Sequence, residues 1–318
     1  MASAPVVVCL GEALIDRLGP PGGDPAVDLP VDDRLGGAPA NVACALARLG
    51  TPVAFVGRLG QDSIGDAFVR LFAERGVETA LLQRDAKRPS RIVLVRRSRD
   101  GERQFQGFAG DAGAGFADHA LEPAPLPQAR WLLIGTLPLA APGSASALLA
   151  AVRQARNQGT AIALDVNWRP TFWDVTADPG AGPSAAAKLA IQPLLDQAAL
   201  IKLAREEALW LFQSDDPAAI QQALPRRPDV VVTDGAAPVR WQLDSQSGVQ
   251  PALQPPSVVD TTGAGDAFTA GLLHRWEAAP LERIRFAAAC GALVCAGAGG
   301  IDPQPDQTQI DQFLGENG

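Results

Sequence analysis

The stretch AIALDV (residues 161–166) decides the fold class, because five of its six positions are apolar. A strand with this composition is buried on both faces, as strands of parallel sheets are. Similar short runs recur along the chain, separated by Ala- and Leu-rich stretches: PVVVCL, PVAFVG, RIVLV, WLLIG, ALIKL and DVVVTDG. This alternation predicts crossover units, and therefore a mostly parallel, doubly wound sheet with helices on both faces.

The stretches between those runs carry apolar residues at helical spacing. Helices are predicted at residues 42–49, 64–75, 145–158, 191–198, 205–212 and 267–276. No repeat of fixed period interrupts the pattern. We therefore expect a three-layer α/β/α fold in one domain that spans residues 1–318.

Two segments break this rhythm and predict a small β lid. Pro, Gly and Asp crowd the first insert, at about residues 13–34, and the second, at about 88–115, contains two extended runs around Arg99-Asp100-Gly101. Neither insert can bury a core of its own, so we expect both to form one accessory sheet over one end of the main sheet. The alternative is two unrelated surface excursions.

Composition excludes several classes of protein. The net charge is −8 and no basic block interleaves with aromatic residues, which argues against a nucleic-acid partner. The first apolar run, residues 6–10, is too short for a signal peptide or a membrane span, so a cytoplasmic protein without a membrane partner is expected. The cysteines form no C-x-x-C pair, which indicates buried thiols and argues against a zinc site: Cys9, Cys44, Cys290 and Cys295.

The stretch DTTGAGDAF (residues 260–268) combines two opposite features. Small residues at Gly263, Ala264 and Gly265 let backbone N–H groups at a helix start approach an anion such as a phosphate. Asp266, one turn into that helix, can accept the proton of an attacking hydroxyl, and together these functions indicate phosphoryl transfer. The alternative is that Asp266 only complements the helix dipole.

The stretch GGAPANVACALARLG (residues 36–50) has the features of a sugar-binding helix start. Gly36 and Gly37 allow close approach of the backbone to a ligand, and Pro39 suits the first helical turn. Asn41 offers a donor and an acceptor to sugar hydroxyls. The alternative is an ordinary capping asparagine.

Taken together, these two motifs resemble the paired signatures of the ribokinase-type (PfkB) carbohydrate kinases. The resemblance runs from CLGEALID to AGAGGIDPQ, nearly the whole chain. It implies that Asp266 is the general base and that Gly263, Ala264, Gly265 and the Asp266 amide form the anion hole. It also implies that the sugar is held by four residues: Asp16, Gly36, Gly37 and Asn41.

The resemblance further assigns residues to ATP and Mg²⁺. The family's N/S-x-x-E motif falls on residues 204–207, where Glu207 would reach Mg²⁺ through water and Ala204 replaces the usual polar residue. Its alternative is a solvated acidic helix start. The nucleotide contacts implied are Lys202, Glu207, Thr233, Gly235, Gly263 and Gly265, although Pro238 departs from the glycine often found in the family.

A monovalent cation such as K⁺ is also implied. Asp260 and Thr262, with backbone carbonyls around Cys295, Ala298 and Gly300, resemble the family's cation site.

The stretch DVNWRPTFWD (residues 165–174) resembles the D-x-N-x-R stretch of fructokinases and 2-keto-3-deoxygluconate kinases. Asn167 and Arg169 would then contact substrate or phosphate. The alternative is a packed cluster of Arg169 with two tryptophans. Arg103, in the lid, could reach the sugar or be a solvated charge.

The expected reaction is transfer of the ATP γ-phosphoryl group to a primary sugar hydroxyl, with D-fructose as the first choice of acceptor. The rivals are 2-keto-3-deoxygluconate, another sugar or a riboside, and an inactive sugar-binding relative. A nicotinamide dehydrogenase is disfavoured because no G-x-G-x-x-G follows the first strand. An exposed lid edge could pair with a second subunit, so a homodimer formed through the lid is an open alternative.

Overall fold

The computed structural model describes residues 5–97, 103–111, 113 and 115–316. Its strands, in chain order, are β1 Val7–Leu10, β2 Leu14–Leu18, β3 Asp32–Gly36, β4 Val53–Gly60, β5 Leu82–Asp85, β6 Ile92–Arg97, β7 Arg103–Ala109, β8 Trp131–Ile134, β9 Ala161–Asp165, β10 Leu200–Ala204, β11 Asp229–Asp234, β12 Ala237–Leu243 and β13 Gln246–Gln250. Its α-helices are α1 Ala38–Arg48, α2 Ser63–Arg75, α3 Pro142–Asn157, α4 Pro170–Trp173, α5 Ala185–Gln197, α6 Arg205–Phe212, α7 Pro217–Ala223, α8 Ala264–His274, α9 Pro280–Val294 and α10 Gln307–Glu316.

Nine strands form the main sheet, in the order β13-β12-β11-β10-β9-β8-β1-β4-β5. All neighbours from β11 to β5 pair in parallel, whereas β12 and β13 are antiparallel. Buried aliphatic residues from alternate positions of the strands pack against the helices on each face. The predicted three-layer, mostly parallel α/β fold is confirmed.

The strand order changes direction at β1, which lies between β8 and β4. In an open parallel sheet, ligands bind beyond the carboxyl ends of the strands at such a point. The residues that follow β1, β9 and β10 therefore face one crevice, and α1 and α8 begin beside it.

The lid is a second sheet, of four strands in the order β3-β2-β6-β7. Its central pair, β2 and β6, is parallel, and the two edge strands are antiparallel to their neighbours. Because strands from both inserts pair with one another, the alternative of two unrelated excursions is wrong. The predicted turn Arg99-Asp100-Gly101 lies outside the described residues.

The helix predictions were correct in position and inaccurate at the ends. α1 begins at Ala38 and α5 at Ala185, several residues before the predicted starts at 42 and 191, because the apolar periodicity begins after the first turn. The strands β5, β12 and β13 and the helices α4, α7, α9 and α10 were not predicted. β12 alternates exposed and buried positions at its start, which hides it from a search for continuous apolar runs.

All four cysteines are buried and unpaired, as predicted. Across the described ranges, no helix is both long and apolar enough to traverse a bilayer.

Candidate active site

Two cavities meet at the N-terminus of α8. The first, called here the charged cavity, has a volume of about 490 Å³ and lies between the sheet and the lid. The second, called the apolar cavity, has a volume of about 340 Å³ and lies between β11–β12, the loop after β13, and α9. Both cavities are lined by Thr261 and Gly265, so one turn of backbone separates them.

The glycines at this turn are required by their surroundings. Gly263 caps α8 with φ of 79°, and a Cβ placed there would lie 2.5 Å from Gly300 Cα. A Cβ on Gly265 would lie 3.0 Å from Lys202 Nζ. The first N–H groups of a helix lack intrahelical acceptors. Because the glycines at this helix tip carry no side chains, the backbone N–H groups can bind an anion directly.

Asp266 borders the charged cavity, and its position is set by Asn41. Asn41 Nδ2 donates to Asp266 Oδ2 at 2.7 Å. Burial, followed by the charge of Asp165, raises the pKa of Asp266 to about 6, although Asn41, Lys202 and Arg169 act in the opposite direction. A carboxylate with this pKa, held at a cavity wall, is suited to accept a proton near neutral pH. A role confined to the helix dipole requires neither the cavity nor Asn41.

The start of α1 supplies the opposite wall of the charged cavity. Gly37 is the N-cap, with φ of 102°, and a Cβ there would lie 2.7 Å from the Glu12 carbonyl oxygen. Asn41 lies in the first turn and its side chain reaches Asp266, so the capping alternative is wrong. Gly36 adjoins Asp16, since a Cβ on Gly36 would lie 3.1 Å from Asp16 Oδ2. Asp16, on β2, lines the charged cavity from the lid side.

Lys202 and Asp165 form a buried ion pair beneath the tip of α8. Lys202 Nζ donates to Asp165 Oδ1 at 3.1 Å, and Thr269 Oγ1 donates to Asp165 Oδ2 at 2.8 Å. Burial lowers the pKa of Lys202, but Asp165, Glu207 and Asp266 outweigh burial, so the pKa is raised and the ammonium stays charged. Lys202 was among the predicted nucleotide contacts and Asp165 was not, although Asp165 opens the D-x-N-x-R stretch.

Glu207 is buried, so the alternative of a solvated helix start is wrong. Its Oε1 accepts the Trp168 N–H at 2.6 Å, and its Oε2 accepts the Ala204 N–H at 2.7 Å. Burial raises the pKa of Glu207. The carboxylate lines the charged cavity, where each oxygen retains a lone pair for a water molecule. This donor set fits the indirect contact with Mg²⁺ that the family motif implies.

Asn167 and Arg169 line the charged cavity after β9. Asn167 has φ of 43°, an uncommon conformation for a residue other than glycine. Trp168 and Trp173 pack against each other with ring centroids 5.3 Å apart. Within the described ranges, no cation–π contact joins Arg169 to either ring, so the predicted Arg–Trp cluster is a Trp–Trp pair. The side chain of Arg103, and with it the predicted sugar contact, lies outside what the structure describes.

The predicted cation loop is folded tightly on itself. Asp260 Oδ1 accepts the Thr262 N–H at 3.0 Å, and Asp260 Oδ2 accepts the Gly299 N–H at 2.7 Å. The three carbonyls named as cation ligands all accept hydrogen bonds: Cys295 from Val259 N, Ala298 from Arg34 Nη1 and Gly300 from Gln304 Nε2. A cation here would have to use their second lone pairs. Across the described ranges, no three His, Cys, Asp or Glu residues are grouped to hold a metal.

Thr233 and Gly235 line the apolar cavity, and the nucleotide contacts implied for them stay predictions. The wall also includes residues 252–255 and Val258, from the connector after β13, and small residues of α9 such as Ala288 and Gly291. The connector, at residues 251–256, is rich in proline. Its Pro-rich composition shows an irregular segment, but nothing local shows what the segment packs against.

Glu12, two residues after the end of β1, is a further buried acid of the charged cavity. Its Oε1 accepts the Ala38 N–H at 3.1 Å, which supports the glycine turn before α1. Burial raises the pKa of Glu12 to about 8. Glu12 is therefore predominantly protonated at neutral pH.

Comparison with known proteins gives one consistent family. The description "pfkB family carbohydrate kinase" matches residues 5–307. The fructokinase of Vibrio alginolyticus is 33% identical, and the match covers 92% of this chain and 98% of the relative.

Two solved fructokinases share the fold. Xylella fastidiosa fructokinase with bound ATP is 30% identical, with a TM-score of 0.82 and 98% coverage of both chains. Vibrio cholerae O395 fructokinase, solved with fructose, ADP and calcium ion, is 27% identical, with a TM-score of 0.82 and coverage of 98% of this chain and 100% of the relative. A double mutant of that enzyme, solved with fructose, ADP and potassium ion, is 28% identical, with a TM-score of 0.81 and the same coverage.

Proposed function

Because this chain belongs to the PfkB family of carbohydrate kinases, we propose that it transfers the γ-phosphoryl group of ATP to O6 of D-fructose. The observation that carries the proposal is the position of Asp266, held by Asn41 at the helix tip that separates the two cavities. In this arrangement the acceptor lies in the charged cavity and the adenosine in the apolar cavity. The transferred phosphoryl group then passes directly in front of α8.

Different residues of the chain accept the proton, stabilise the phosphoryl group, hold the sugar and hold the metal. Asp266 accepts the proton of the attacking hydroxyl, while the N–H groups of Gly265 and Asp266 and the Lys202 ammonium stabilise negative charge on the phosphoryl group. Asp16, Gly36, Gly37 and Asn41 hold the sugar, with Asn167 and Arg169 on the far wall. Glu207 would hold Mg²⁺ through water, and the bound metal would neutralise charge on the ATP oxygens.

Fructose is preferred as the acceptor because both the curated relative and the solved neighbours cited above are fructokinases, and one of them is described with fructose bound. A specific observation keeps 2-keto-3-deoxygluconate as the second candidate. Arg169 is exposed, lines the charged cavity, and has no ion-pair partner within the described residues. Such a cation could bind the carboxylate of an acidic sugar.

A direct test measures ATP consumption with fructose and with 2-keto-3-deoxygluconate, for the parent protein and for Asp266→Asn. We expect activity on fructose, and a fall in kcat of about 10³-fold in the variant, because general base catalysis contributes on that scale. Asp302→Asn, outside both cavities, is the matched control and should retain full activity. An active Asp266→Asn protein would overturn the proposal. Activity only on 2-keto-3-deoxygluconate would make that sugar the substrate in place of fructose and would leave the proposed mechanism unchanged.

Three further assignments stay predictions from the sequence: a cytoplasmic location, a K⁺ ion beside Asp260 and Thr262, and a homodimer formed through the lid. The free edges of the described lid sheet are β3 and β7. Sedimentation of the purified protein tests the dimer, and assays in sodium and potassium salts test the cation.

A further inference from the structure

We propose that Asp165 is a positioning residue that holds the Lys202 ammonium beneath the anion-binding tip of α8 and keeps it from pairing with Asp266. The inference rests on the proposed function, since it assigns Lys202 to the transferred phosphoryl group. Nothing in the motif spacing indicates this role, which follows from contacts between two strands and a helix.

Asp165 and Lys202 form an ion pair, called here the clamp, that Asp165 also connects to α8. Asp165 ends β9 and lies directly opposite Lys202 in the parallel pairing of β9 with β10. One carboxylate oxygen accepts from Lys202 on the neighbouring strand, and the other accepts from Thr269 on α8, one turn after Asp266. The relative exposures of Asp165 and Thr269 are 5% and 2%, so water does not compete for these contacts. The clamp thus ties the ammonium to the helix that carries the base.

Lys202 has three acidic neighbours that influence its charge, namely Asp165, Glu207 and Asp266. Its Nζ lies just below Gly265, where a bound phosphoryl group would meet the helix tip. Without Asp165, the nearest remaining anions would attract the ammonium, and an ion pair with Asp266 would occupy the catalytic base. Asp165 therefore separates the cation that binds phosphate from the anion that accepts the proton.

The two members of the clamp act on Asp266 in opposite directions. The charge of Asp165 raises the pKa of Asp266, and the charge of Lys202 lowers it. The other polar groups facing Asp266 are Asn41 and Arg169, which also lower its pKa, and Glu12, whose pKa is itself raised by Asp266. The opposite directions follow from the opposite charges of the pair, so removing either charge should move the pKa of Asp266 in a known direction.

The test compares Asp165→Asn, Lys202→Met and the double variant, with kcat, KM and the pH profile of kcat/KM as readouts. We expect kcat to fall about 30-fold in Asp165→Asn and about 100-fold in Lys202→Met, on the scale of a lost electrostatic stabiliser. The acid limb of the kcat/KM profile, where Asp266 becomes protonated, should move to lower pH in Asp165→Asn and to higher pH in Lys202→Met. Because Asp165 acts through Lys202, the double variant should lose no more than Lys202→Met alone.

Asp244→Asn is the matched control. Asp244 accepts from the buried Arg283 at 2.8 Å, so this variant also leaves a buried cation unpaired, but outside both cavities. It should lower the melting temperature and leave kcat and the pH profile unchanged. If Asp165→Asn alone does not fold, the double variant still carries the test, because removing both charges avoids an unpaired buried cation.

The inference is overturned if Asp165→Asn behaves like the Asp244 control, or if the acid limbs of Asp165→Asn and Lys202→Met move in the same direction. It is also overturned if the losses of kcat in the two single variants multiply in the double variant. Asp165→Glu, which retains the charge, should restore the acid limb to its parental position. An active Asp266→Asn protein would instead overturn the proposed function, so the two failures are distinguishable.

Discussion

The charged cavity and the apolar cavity share a wall but are built from different chemistry. Among the described residues, six ionisable side chains line the charged cavity: Glu12, Asp16, Arg169, Lys202, Glu207 and Asp266. The described wall of the apolar cavity contains no Asp, Glu, Lys, Arg or His. The groups that move a proton or balance phosphate charge must ionise, whereas a neutral adenine ring needs only shape and apolar contact.

The difference extends to how each cavity is assembled. The charged cavity draws on β2 of the lid, α1, the loop after β9, β10, α6 and α8, which are distant in sequence. The apolar cavity is formed by residues between Thr233 and Cys295. Changes in the first should therefore alter kcat and its pH dependence, and changes in the second should alter KM for ATP.

Among substitutions that leave the catalytic base in place, the largest effect is expected at the wall between the cavities, from Gly263→Ala. The added Cβ would meet the Gly300 backbone, and the alanine would have to adopt φ of 79°. The helix tip must therefore move. Loss of an anion-hole donor typically costs kcat about 100-fold or more, and steady-state kinetics with saturating ATP would measure this.

Gly76→Ala is a close control for that substitution. Gly76 has φ of 77°, with no atom within 4 Å of the added Cβ. The backbone strain is the same but the steric clash is absent, and the site is the end of α2, outside both cavities. Equal losses of kcat in the two variants would show that strain alone, and not the anion hole, explains the effect.

The next test addresses the charged cavity through pH. Asp266 must be ionised to accept a proton, and its pKa is about 6, so kcat/KM should fall about tenfold per pH unit below that value. Asn41→Leu removes a hydrogen bond that lowers this pKa, so the acid limb should move to higher pH. A limb that stays in place in the variant would contradict the assignment of Asn41 as the partner of the base.

These two cavities also show what the sequence could and could not predict. Gly263, Gly265 and Asp266 were recognisable because a helix start, small residues and a carboxylate lie within one short stretch. The Asn41–Asp266 and Asp165–Lys202 contacts were not, because each joins separate elements through the register of the sheet or the docking of two helices. Local patterns predict which groups are present, and tertiary packing decides which groups meet.

The fold shows the same division. Continuous apolar runs predicted the parallel strands of the main sheet except β5, since burial on both faces leaves a strong local signal that the LQRD sequence of β5 lacks. The strands β12 and β13 and the connector at 252–258 carry mixed polarity, so the contribution of β12 and the connector to the apolar cavity depends on packing against α8 and α9. The apolar cavity was consequently the less predictable of the two.

Filling the apolar cavity should give a smaller effect of a different kind. Ala288, on α9, lines the cavity, and Ala288→Leu would occupy space that the proposed function assigns to the adenine. We expect KM for ATP to rise about tenfold, equivalent to about 1.4 kcal/mol, with kcat little changed. Ala186→Leu, at an exposed position of α5, is the control and should change neither parameter. A fall in kcat at saturating ATP would indicate that the two cavities do not act separately.

The smallest expected effect comes from Glu12, an acid of the charged cavity that the proposed chemistry does not use. Burial raises its pKa from 4.5 to about 8, so the folded protein binds a proton that the unfolded chain releases between those values. Its contribution to stability is thus fully present at pH 4.5 and is lost as the pH rises to about 8. Glu12→Gln has nearly the shape of the neutral acid and lacks this dependence.

Thermal unfolding from pH 5 to pH 8 should therefore show Glu12→Gln gaining a few degrees on the parent protein as the pH rises. Glu282→Gln provides the control, because water surrounds that carboxylate in the folded and unfolded chains alike. Parallel curves for the parent and Glu12→Gln would mean that Glu12 is ionised in the folded state. The charged cavity would then contain one more anion, and Lys202 and Arg169 would have to balance it.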